Sequence, residues 1–230
     1  MNTNLTQEQK DYAIFLPAIS GFFATFIGKQ RREEYVEKSR IPSNFPNEVE
    51  SMNWLNPSKS MFEYKWSLYS AGHADLDVNK DVSKELMVRD RDRQNSWLLG
   101  DSGGFQIGKG VWEGDWKDPN CPKAKKKREQ VLTWMDAYMD YGMILDIPAW
   151  VSRSPAGVKA TGISTYQEAV AATRINNDYF MKNRNGNCKF LNVLQGENHA
   201  DAEDWYQQMK DYCDPKKYTD HFNGWSMGGQ

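Results

Sequence analysis

Two sets of residues in this sequence have the types and spacing to do chemistry. The first is the run Gly100-Asp101-Ser102-Gly103-Gly104, a serine between an acid and two glycines, with His73 lying 29 positions upstream as a base. A serine hydroxyl activated by an imidazole performs acyl transfer. The second set is dispersed: Asp101, Asp146, Gln195 and the pair Gly228-Gly229 each follow a short apolar run. A carboxylate accepts two hydrogen bonds at once, an amide both donates and accepts, and glycine allows close approach to backbone N–H groups. Brought together, such groups recognise a ligand with adjacent donors and handle its protons.

The intervening elements decide whether these residues can meet. Trp97-Leu98-Leu99 reads as a strand entering the tight turn at Gly100 to Gly104. Lys123 to Tyr141 places Val131, Trp134, Met135 and Tyr138 at helical spacing, with Gly142 as the stop. Met143-Ile144-Leu145 is the next strand, ending at Asp146 ahead of Pro148. Thr165 to Arg184 predicts a helix capped by Ser164 or Thr165, with Glu168 in its first turn and Ala169, Ala172, Ile175 and Tyr179 on one side. Phe190 to Leu194 follows as a strand ending at Gln195-Gly196, then a helix from Ala202 to Tyr212, then a strand from Phe222 to Met227 closed by Gly228-Gly229. Upstream, Ile14 to Ile19 and Trp66 to Ser70 are the expected first and second strands, separated by an irregular excursion marked by Pro42, Pro46 and Pro57.

Short apolar strands alternating with helices predict an α/β protein with a parallel sheet, either doubly wound or barrelled. Polar or glycine residues at successive strand ends favour a (β/α)8 TIM barrel, which gathers those ends around one site. About six strands can be counted where a closed barrel needs eight and about 250 residues. The expectation is therefore one domain over residues 1–230, a TIM barrel truncated after about six strands, which leaves unpaired edges.

Composition narrows the function classes. The 230 residues are 39% hydrophobic and 26% charged, with 29 Lys+Arg against 31 Asp+Glu for a net charge of −2, so the whole surface is not an electrostatic glove for nucleic acid. Cys121, Cys188 and Cys213 lie far apart with no CxxC pair, which argues against a disulfide framework and fits a reducing, cytoplasmic setting. Ala13 to Ile27 is apolar but too short to span a membrane and contains Pro17 and Gly21. It reads as a buried strand running into a loop, with no membrane partner and no export signal.

The Gly100 to Gly104 run spells the nucleophile sequence of chymotrypsin-like serine proteases, but those are all-β and continue differently, whereas Phe105-Gln106 follows here amid alternating strands and helices. The longer run Asp101-Ser102-Gly103-Gly104-Phe105-Gln106 resembles the signature of the tRNA-guanine transglycosylase family. These are (β/α) barrels that replace a guanine in nucleic acid with a 7-deazaguanine base. Asp146, Val193-Leu194-Gln195-Gly196 and Gly224 to Gly229 match further family landmarks in order and approximate spacing, so the resemblance covers roughly Trp66 to Gln230.

The resemblance implies that Asp101 is catalytic, moving or orienting protons as one base leaves and another enters, and that Ser102, Gln106, Asp146, Gln195, Gly228 and Gly229 bind the base. Guanine offers N1–H and a 2-amino group as adjacent donors and O6 as an acceptor. A carboxylate at Asp146 suits the donors, while the Gln195 amide and the Gly229 N–H suit O6. The family's nucleophilic aspartate and its zinc site of three cysteines and a histidine would fall beyond Gln230, so no metal or other cofactor is expected in this chain. Ile147-Pro148-Ala149-Trp150 and the Trp-rich stretch Gly108 to Trp116 look more like the 7-deazaguanine DNA transglycosylases of phages and bacterial genomic islands. DNA is thus favoured as substrate with tRNA as the alternative, and host cytoplasm is implied for a phage protein. Trp112 and Trp116 are candidates for stacking on bases, and Lys125, Lys126, Lys127 and Arg128 for phosphate contacts. A reading of another class is a non-catalytic base-binding fragment or subunit, completed by a second chain.

Overall fold

A computed structural model describes residues 13–44, 48–80 and 85–228 of the chain. Two compact units are distinguished, Met1–Leu99 and Gly100–Gln230. The architecture is mixed α/β with a parallel five-stranded sheet, hydrogen-bonded in the order β1-β2-β3-β4-β5.

In the first unit the expected strand over Ile14 to Ile19 is reduced to a bridge at Ala18, where Ile19 N donates to Leu68 O (2.8 Å) and Leu68 N to Pro17 O (3.0 Å). The apolar run then turns helical as α1 (Gly21–Gln30). Ser20 is the physical reason: its hydroxyl accepts from Phe23 N at 3.0 Å, satisfying an orphan donor of the first turn. Ala24 and Ile27 are buried on this helix while Phe22 stays exposed. β1 (Trp66–Ser70) is the predicted strand residue for residue, with Ser67 and Tyr69 buried in period-two alternation. The short helix α2 (Leu86–Arg89) precedes β2 (Trp97–Asp101). Pro46 lies outside the described residues; beyond it the excursion includes a 3-10 turn at Glu48–Met52. Arg31 there is paired with both Glu50 and Asp90.

The second unit repeats strand and helix. It comprises α3 (Gly104–Gly108), α4 (Pro122–Tyr138), β3 (Tyr141–Met143), α5 (Pro155–Thr161), α6 (Tyr166–Asn183), β4 (Lys189–Leu194), α7 (His199–Met209) and β5 (Trp225–Met227). Parallel registers pair Gly142 with Phe190 and Val193 with Ser226. The capping box at α6 is as expected: Thr165 Oγ1 accepts from Glu168 N (3.2 Å) and Glu168 accepts from Ser164 N (2.6 Å). The Ser164 N–H, then the Ser164 hydroxyl and Lys117, hold the Glu168 carboxyl down at about 2.

Three expectations are corrected here. Gly142 does not stop α4, which ends at Tyr138; it lies inside β3. A Cβ at Gly142 would come within 2.7 Å of Met135 Sδ and 3.1 Å of Phe190 Cε1, so the glycine lets helix and neighbouring strand close on β3. The last strand is shorter than Phe222 to Met227, because Phe222 N is drawn to Tyr212 O (2.7 Å) and its ring packs beside Phe190 and Tyr212. On α6 the buried face runs through Ala169, Ala172, Thr173, Asn176, Asn177 and Phe180, leaving Ile175 and Tyr179 half-buried.

Candidate functional site

The residues following β2, β3, β4 and β5 converge. β2 ends at Asp101, which is half-buried and whose Oδ1 is 3.5 Å from the Gly103 N–H. Ser102 follows, 1% exposed. The two glycines then have different tasks. Gly103 takes φ 80°, a left-handed conformation that a side chain would strain, and thereby starts α3. Gly104 makes room, because a Cβ there would lie 2.8 Å from both the backbone oxygen and Oδ1 of Asp146.

Asp146 stands three residues beyond β3, where no strand ladder fixes the backbone. Helix α6 fixes it instead. Asn176 Nδ2 donates to Leu145 O (2.6 Å) and Thr173 Oγ1 accepts from Ile147 N (2.9 Å), gripping the chain on both sides of the aspartate. Asn176 is itself oriented by Arg128 Nε, which donates to its Oδ1 at 2.6 Å.

The Asp146 carboxylate is 7% exposed and accepts from Gln195 Nε2 at 2.6 Å, with the Ser102 hydroxyl as a second partner. Burial pushes its pKa from 3.8 to about 6; the Gln195 bond opposes this, the Asp101 charge adds to it, and Ser102 opposes it. Gln195, also 7% exposed, is backed by Gly228, where a Cβ would fall 2.1 Å from Nε2. Gly228 is placed by its N–H to Leu194 O (2.9 Å), and Gly229 lies outside the described residues. Gln106, on α3, has its Oε1 buried with no hydrogen-bond partner. A buried acceptor left unpaired costs about 1–3 kcal/mol, so it marks a place where a donor is wanted.

Asp101, Ser102, Asp146, Gln195 and Gly228 are therefore brought together, with Gln106 on the adjoining helix. The basic run divides differently. Lys125 and Lys126 are exposed, whereas Lys127 is half-buried with Nζ 4.7 Å from the Trp112 ring centroid, and burial lowers its pKa. Arg128 is corrected outright as a phosphate contact: it is 1% exposed and lies between the rings of Trp116 and Tyr179. Trp116 is likewise fully buried and unable to stack on a base. The Ser102 hydroxyl is engaged with the Asp146 carboxylate. In this unit His221 Nδ1 is 2.8 Å from Phe222 O, and His199 opens α7.

Sequence reasoning missed Thr173 and Asn176, whose signal was polar residues at i and i+3 on a helix face otherwise buried. It also missed an aromatic pair beside the site, Phe105 and Trp150, with ring centroids 6.0 Å apart. Among the described residues no group of three or more His, Cys, Asp or Glu is placed to hold a metal. No described helix is long and apolar enough to cross a membrane. Comparison of the chain with family models, curated proteins and solved structures finds no match.

Proposed function

We propose that this chain is a base-exchange transglycosylase that recognises guanine in DNA and replaces it with a 7-deazaguanine derivative. The observation that carries this reading is the buried Asp146 carboxylate, bridged to Gln195 and cleared on two sides by Gly104 and Gly228. A carboxylate has about four acceptor positions. Gln195, Ser102 and the residue's own N–H draw on these, and the side of the carboxylate left clear is the one proposed to take guanine N1–H and its 2-amino group. The Gln195 amide carries two hydrogens; one is used on Asp146 and the other suits O6. Adenine, with an acceptor at N1, would leave these buried groups unpaired, which is how such a site rejects it.

The reaction is a swap of equivalent bonds. The glycosidic bond to guanine breaks and guanine N9 takes up a proton; the incoming base loses its N9 proton as the new bond forms. Asp101 is the group proposed to carry that proton. The serial strand order supports a (β/α)8 barrel as the architecture, with this site at the strands' C-terminal ends.

The test measures guanine and adenine binding by calorimetry alongside exchange of labelled guanine into DNA and into tRNA. Guanine binding at least tenfold tighter than adenine, with label entering DNA in preference to tRNA, is the expected result. Label entering tRNA alone would make this a tRNA enzyme, and guanine binding without exchange would leave a base-binding subunit. Equal affinity for the two purines would overturn the recognition reading altogether.

A further inference from the structure

A cation stands beside this site without an acidic partner among the described residues. Lys109 follows α3, is exposed, and holds Nζ 5.3 Å from the Phe105 ring centroid and 5.7 Å from that of Trp150. Both rings belong to segments that build the site. Phe105 adjoins Gly104, which touches Asp146, and Trp150 lies four residues beyond Asp146 in the 3-10 turn Ala149–Arg153. Trp150 is seated closely: a Cβ on Gly108 would come within 2.4 Å of its Cη2, so that glycine lets the indole lie flush on α3. Phe105 is 59% exposed, and the pair presents ring faces that hold the lysine stem in one direction.

The neighbouring cation differs. Arg153, on the same turn as Trp150, is paired with Glu197 and lies 3.9 Å from Asp201, so its charge is answered within the protein. Lys109 makes no ion pair among the described residues. An exposed, pre-ordered ammonium next to a base-recognition site has the chemistry of a contact to the polyanionic strand carrying that base. We infer that Lys109, held over Phe105 and Trp150, binds the DNA phosphodiester adjoining the exchanged guanine. This rests on the proposed guanine site, but it concerns the strand and not the base.

The two are separable by experiment. Binding of free guanine and of a guanine-containing single-stranded DNA oligonucleotide is measured at several salt concentrations for the wild type, Lys109→Met and Lys109→Arg. Methionine keeps an apolar side chain over the rings and removes the charge; arginine restores the charge. The expected result is unchanged guanine affinity in all three. For DNA, the methionine variant alone shows several-fold weaker binding, with a salt slope shallower by about 0.7, the increment for one phosphate on a single strand. An unchanged salt slope in Lys109→Met, or a loss that arginine fails to rescue, overturns the inference, as does failure of the wild type to bind the oligonucleotide. If the wild type binds the oligonucleotide but not guanine, the base-site reading falls and the slope still decides the role of Lys109. An RNA oligonucleotide bound equally well, with the same slope change, would show a phosphate contact blind to the sugar and overturn the assignment to DNA.

Discussion

The two ends of strands β3 and β4 both bury carboxylates, and the contrast between them shows what makes a site. At the N-terminal ends, Asp136 of α4 accepts from Asn185 N (3.0 Å) and keeps a second oxygen buried with no partner. Burial raises its pKa, against the pull of the Asn185 and Cys188 N–H groups and of Arg184. The neighbouring Cys188 thiol is pushed well up, first by burial and then by the charges of Asp136 and Asp140. The glycine at this end, Gly142, faces a methionine sulfur, a phenylalanine ring and the cysteine, so the space it leaves is filled by packing. At the C-terminal ends the glycines face the polar atoms of Asp146 and Gln195. Burial and a raised pKa are common to both ends; clearance against groups that can bind a ligand belongs to one.

The harshest way to break this contrast is to fill the clearance. Gly104→Ala would force Asp146 and its peptide to move, and guanine binding should weaken by more than about a hundredfold, the scale expected for misplacing a group by an ångström. Gly142→Ala at the other end should cost stability instead, about 1–3 kcal/mol from overpacking, with guanine affinity within about threefold of wild type. Calorimetry and urea denaturation on the two variants read both effects, and equal loss of binding in both would dissolve the distinction.

A smaller effect comes from the charge itself. Asp146→Asn places a donor opposite guanine N1–H and should weaken binding about thirtyfold, or ~2 kcal/mol. In the wild type, guanine affinity should fall below pH about 6, as the carboxyl takes a proton. Stability follows the opposite course. Because the folded pKa lies above the unfolded one, the folded state holds more protons between pH 3.8 and about 6. Stability is therefore greatest below that window and declines as pH rises through it, by up to roughly 3 kcal/mol. Urea midpoints between pH 4 and 7 should show this decline in the wild type and a reduced one in Asp146→Asn. The smallest change is expected from Asp136→Asn, which relieves an unfavourably buried charge: a gain of about 1 kcal/mol at pH 7 and no change in guanine binding. A loss of guanine affinity there would mean that the two ends are coupled.

Much of this arrangement was legible in the sequence because strand ends are punctuated chemically. Asp101, Asp146, Gln195 and Gly228 each follow an apolar run, and strand-helix alternation implies that such residues share one edge of a parallel sheet. β1 was readable from its composition, and α6 from its cap. What escaped had tertiary causes. Ser20 turns an apolar run into a helix that periodicity alone assigns to a strand. Gly142 has the same letter whether it ends a helix or lets two elements close. Arg128, at the end of a basic run, is indistinguishable by charge from Lys126, yet its planar head is enclosed by Trp116 and Tyr179. Thr173 and Asn176 read as interruptions of an apolar face, since the backbone groups they hold lie on a segment far away in sequence.

The Arg128 to Asn176 to Leu145 connection gives that enclosed guanidinium a remote influence. It acts as the far anchor of a tether whose near end steadies the peptide ahead of Asp146, so play at the anchor is felt at the carboxylate. The position of that carboxylate is thus partly set between two helices, and shifting it need not touch the residues around it.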